Sequence, residues 1–68
     1  MTNQVLIKAE QAGKDAFRNG SLSSYTAAER SARKTYAAVI ERECFVAGWN
    51  VAFWAEQARI LDATRQGG

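Results

Sequence analysis

Apolar positions recur at helical spacing in two segments of the chain, separated by one short polar stretch. In the first segment, Val5, Leu6, Ala9, Ala12, Gly13, Ala16 and Phe17 fall on one stripe. Lys8, Gln11, Lys14, Asp15 and Arg18 take the other side, and Ile7 is the one misfit. This pattern predicts a helix from about Asn3 to Asn19. The middle of its stripe is Ala9, Ala12, Gly13 and Ala16, small enough for a second helix to approach closely. Asn19-Gly20 is a stop signal, because glycine adopts the left-handed conformation that closes a helix. A loop over residues 20–25 follows. Thr26 and Glu29 have the spacing of a capping box, which predicts the next helix start there.

From Ala27 to about Arg65 the only residue that punctuates the pattern is Gly48, and one glycine costs a helix only about 1 kcal/mol against alanine. Val39, Val46, Phe53 and Ile60 recur every seven residues, as do Ile40, Ala47, Trp54 and Leu61. Both rows cross Gly48 without slipping, so the expectation is one continuous helix over 27–65. The alternative is a three-helix bundle with a corner at Gly48. Continuous, the second helix would be about 57 Å long against about 26 Å for the first. Half of it would then lack a partner within the chain. That half carries Phe45, Trp49, Phe53 and Trp54, with Ile60 and Leu61 further along, and these six residues are the predicted interface. The expected fold is therefore all-α: a helical hairpin, a single domain over 1–68, assembled as a homo-oligomeric helical bundle.

Composition strengthens the case for a partner. A chain of 68 residues buries little core, and much of its 47% apolar content is alanine. Cys44 is the only cysteine and histidine is absent, which removes an intrachain disulfide and the common zinc and iron–sulfur arrangements. No metal or cofactor is expected. The formal charge of +2 is too small for an overall nucleic-acid or membrane signature. The start Met-Thr-Asn lacks a basic region followed by an apolar stretch, and the apolar run from Cys44 to Ala55 is too short to span a bilayer. The expected location is the cytoplasm.

Three features bear on function. Tyr36, Glu43, Asn50, Gln57 and Thr64 also repeat every seven residues, between the two apolar rows. Such a polar ladder either fixes helix register or lines a groove that hydrogen-bonds a polar ligand. Arg30, Arg33 and Lys34 cluster near the start of the long predicted helix, where positive charge opposes the helix dipole and an anion would relieve it. The alternative there is a solvated face with Glu29 paired to Arg33. Finally, Phe45, Trp49 and Ala52 form a second apolar face, which suits packing or docking on a foreign protein. Catalysis is not expected: there is no histidine base, no activating partner for Cys44 and no phosphate-cradling glycine loop.

The run Phe45-x-Ala47-Gly48-Trp49-Asn50-x-Ala52 resembles segments of small helical accessory proteins encoded by bacteriophages. Arg42 followed by Gly48-Trp49 is similar to the final helix of the phage proteins that sequester cyclic-oligonucleotide defence signals. The resemblance implies a helical homo-oligomer that binds a nucleotide between subunits and acts as a stoichiometric counter-defence protein. On that expectation Arg30, Arg33 and Lys34 hold phosphates, Tyr36 or Trp49 stacks a base, and Asn50 reads an edge. Two other expectations stand beside it: an inhibitor docking the Phe45, Trp49 and Ala52 face on a host protein, and a DNA-binding regulator using Arg30, Arg33, Lys34 and Arg42.

Overall fold

The computed structural model describes residues 4–67, and these fold as three helices: α1 (Gln4–Arg18), α2 (Tyr25–Thr35) and α3 (Val39–Gly67). The all-α expectation holds, with no strand among the described residues. The expected first residue of the first helix, Asn3, lies outside them.

Gly20 closes α1 as its sequence suggests. Its φ is 77°, its amide donates to the Phe17 carbonyl at 3.2 Å, and the Ser21 amide donates to the Ala16 carbonyl at 3.1 Å. These two bonds satisfy carbonyls that would otherwise end the helix without partners. The loop then covers 19–24, and α2 begins earlier than the Thr26–Glu29 spacing predicts. Ser24 is the cap: its backbone is extended and its hydroxyl accepts from the Ala27 amide at 3.1 Å.

The continuous helix over 27–65 is not what forms, and the corner is not at Gly48. Gly48 sits inside α3, while the chain breaks after Thr35, where Tyr36 takes extended backbone angles of −119° and 131°. No glycine or proline marks this corner. Two tertiary contacts hold it: the Tyr36 ring lies against Phe45 with centroids 5.7 Å apart, and Arg42 Nε donates to the Tyr36 carbonyl at 2.8 Å. That bond gives a partner to a carbonyl that leaves the helix ladder, and the folding back of α2 onto α3 buries Ala28 and Ala32.

Helix α3 is the spine, about 43 Å long, with α1 and α2 packed on it. The α1–α3 crossing is a backbone-to-backbone contact. A Cβ on Gly13 would fall 1.9 Å from the Phe45 carbonyl oxygen, and one on Gly48 would fall 2.0 Å from the Glu10 carbonyl oxygen. The small stripe of α1 and Gly48 therefore serve each other. Around this crossing lie the buried apolar residues Ala9, Ala28, Ala32, Phe45, Trp49 and Ala52.

Trp49 is the centre of the core. Its ring stacks on Phe53 at 5.3 Å and meets the edges of Phe17 from α1 and Tyr25 from α2, at 5.5 and 6.4 Å. Its indole N–H donates to the Leu22 carbonyl at 3.1 Å, tying the 19–24 loop to α3. One side chain thus joins all three helices and a loop. Phe45 and Trp49, expected at an interface with another chain, are covered by their own chain to 6% and 2% exposure. The physical reason is the extra corner, which brings a third helix onto the face that a hairpin would leave bare.

The opposite face of α3 is uncovered. Trp54 and Leu61 are 63% and 62% exposed, and Ile40 and Val51 are also more than half exposed. From Ala58 to Arg65 every residue is exposed. Despite this apolar surface, no helix among the described residues is long and apolar enough to cross a membrane.

Candidate functional site

Between α2 and α3 lies an open groove of about 490 Å³. From α2 it is lined by Tyr25, Glu29, Ala32 and Arg33, and from α3 by Val39, Arg42, Glu43, Val46, Ala47 and Asn50. The spacing explains the set. Glu29, Ala32 and Arg33 lie three and four residues apart on one face of α2, while Val39, Arg42 or Glu43, Val46 and Asn50 follow the same rule on α3.

Its polar groups divide evenly: two guanidiniums, Arg33 and Arg42, and two carboxylates, Glu29 and Glu43, beside the Tyr25 phenol and the Asn50 amide. Arg42 is half-buried and aimed by its bond to the Tyr36 carbonyl, which uses one of five N–H donors. Such a groove can grip an anionic group with its arginines and accept from amino groups with its carboxylates.

Of the five residues expected to bind a ligand, the groove brings together Arg33 and Asn50. Arg30 and Lys34 are exposed elsewhere on α2, and Tyr36 is at the corner with its ring on Phe45. The electrostatic reason for an anion at the basic cluster also changes sign. Because α2 ends at Thr35, Arg33 and Lys34 occupy its last turn, where positive charge complements the helix dipole. Tyr25 and Glu29 were not singled out as ligand residues from the sequence, and Arg42 entered only through the resemblance and the DNA-binding alternative. The signal for them was weak, since it requires knowing that the chain turns at Tyr36.

The polar ladder does not form a buried seam. Tyr36 is off the α3 register, Glu43 and Thr64 are exposed, and Asn50 and Gln57 are half-buried. Among the predicted interface residues, Phe53 packs between Trp49 and Trp54, whereas Trp54, Ile60 and Leu61 face solvent. The Phe45, Trp49 and Ala52 face is inside the core, so it offers no docking surface.

Elsewhere, Arg59 bonds Glu56 one turn away and holds that carboxyl below the usual carboxylate range, chiefly through the hydrogen bond. This pair is on the surface of α3, apart from the groove. Among the described residues no cluster of acidic and thiol side chains has the makings of a metal site. No protein-family model, curated protein or solved structure matches this chain.

Proposed function

We propose that the chain is a non-enzymatic binding protein that holds a small anionic ligand of the nucleotide type in the groove between α2 and α3. The observation that carries this reading is the meeting of Arg33 and Arg42, from two different helices, with Tyr25 and Asn50 around one opening of about 490 Å³. That volume is in the range of small-molecule sites. The even mix of charge suits a ligand with both a phosphate and hydrogen-bond donors: the arginines take the phosphate, Glu29, Glu43 and Asn50 take amino groups, and Tyr25 offers a ring. Sequestration of a nucleotide immune signal by a phage-type counter-defence protein is the biological role this ligand class suggests, and it rests on the resemblance of Arg42 and Gly48-Trp49.

Isothermal titration of the full chain against linear and cyclic mono- and oligonucleotides tests the reading. A member of the panel should bind at micromolar concentration or tighter. Arg33→Ala should then weaken binding by roughly 10- to 100-fold, the size expected for loss of one charge-assisted contact. Silence across the panel, or binding indifferent to Arg33→Ala, contradicts it.

A further inference from the structure

We infer that the outer face of α3 pairs with the same face of a second copy, antiparallel, about a two-fold axis at Trp54. This rests on the exposed side of α3 and needs no ligand, although Glu43, Ala47 and Asn50 also line the groove.

Helix α3 is apolar on two faces. One is covered by α1 and α2; the other presents Ile40, Ala47, Val51, Trp54, Ala58 and Leu61 in steps of three, four and seven residues. Trp54, Leu61, Ile40 and Val51 stand 63%, 62%, 57% and 52% exposed, a continuous stripe of about 32 Å. The stripe residues are all exposed, and Ala47 among them also borders the groove against α2.

The order of side chains along the stripe selects the occupant. Ala47 and Leu61 lie seven residues to either side of Trp54, and Glu43 and Arg65 lie eleven, which is three turns. A two-fold axis at Trp54 therefore sets Leu61 of the second copy on Ala47, large against small. It also sets Arg65 of the second copy opposite Glu43, at both ends. Ala47, Asn50, Val51, Trp54 and Ala55 outline a shallow apolar depression that would receive the second copy's side chains. A parallel pair in register would instead oppose Glu43 to Glu43 and Arg65 to Arg65. The stripe residues of the two copies oppose one another from Ala47 to Leu61, about 21 Å of helix contact, and an isologous arrangement of this kind closes on itself.

Sedimentation equilibrium over a wide concentration range tests the inference, with circular dichroism verifying the fold of each variant. The natural chain should form a dimer. Glu43→Arg or Arg65→Glu alone places like charges across both ends of the interface and should weaken dimerisation about tenfold. The double variant Glu43→Arg with Arg65→Glu should restore it, and Trp54→Ser should abolish it while the monomer stays folded. A natural chain that remains a single copy at several hundred micromolar overturns the inference and leaves the stripe to a different protein. A dimer indifferent to Trp54→Ser overturns it as well, and one that the double variant fails to restore overturns the register.

Discussion

At the scale of single residues, the fold depends most on two hydrogen atoms. Gly13 and Gly48 let α1 and α3 meet backbone to backbone, and a methyl at either would lie about 2 Å from a carbonyl oxygen of the facing helix. Backbone does not rotate aside as a side chain does, so the helices would have to separate and the Trp49 cluster would loosen. Gly13→Ala and Gly48→Ala should each destabilise the chain by about 3 kcal/mol or more. That is a large part of the few kcal/mol available to a chain of this length. Urea unfolding followed by tryptophan fluorescence measures it, and a loss below about 1 kcal/mol for both variants would show the crossing to be looser than described. This contact was half legible in the sequence. The alanine and glycine stripe around Gly13 announces a close neighbour, but nothing in it names Gly48 as that neighbour until the two helices are laid together.

Among the elements, α3 determines what could and could not be read. Its heptad rows, Val39 to Ile60 and Ile40 to Leu61, are the most regular apolar pattern in the chain, yet Phe53 is their one member in the Trp49 cluster, while Val39, Ile40, Trp54, Ile60 and Leu61 are exposed. The face that the fold buries, Phe45, Gly48, Trp49 and Ala52, has shorter and less regular spacing. Choosing between two apolar faces requires knowing which one the small stripe of α1 fits. The corner at Tyr36 was hidden for a related reason: Thr35, Tyr36 and Ala37 are permitted in a helix, and the chain turns because Phe45 and Arg42, further along, hold Tyr36 in an extended conformation. The groove inherits this blindness, since Arg33 and Arg42 share it only once the corner is made. From Ala58 to Arg65 every residue of α3 is exposed, so those residues should contribute little to the monomer. A chain ending at Gln57 should keep its helical core, with Trp49 still emitting as a buried indole in dilute solution, and should lose self-association. Loss of the buried Trp49 signal in this shortened chain would mean that the end of α3 supports the core.

The whole molecule measures 46 × 28 × 16 Å, a thin body whose length is set by α3. Two short helices cover one side of that spine, and the other side keeps a tryptophan, a leucine, an isoleucine and a valine in water. A body this thin has little interior of its own, and a second copy laid along the open face would thicken it while covering the stripe from Ala47 to Leu61. The groove between α2 and α3 lies beside that stripe and shares Ala47 and Asn50 with its depression, so binding and assembly meet on one edge of α3. The central claim is that α3 has one face for its own chain and one for its copy. Cys44, the single cysteine, is half-buried on α3 and accepts a spin label without any substitution. Pulsed dipolar spectroscopy between the two labels should give a separation of about 30 Å, the axial distance set by antiparallel pairing at Trp54. A separation near 10 Å, which a parallel pair would give, or no dipolar signal at all, would contradict the account.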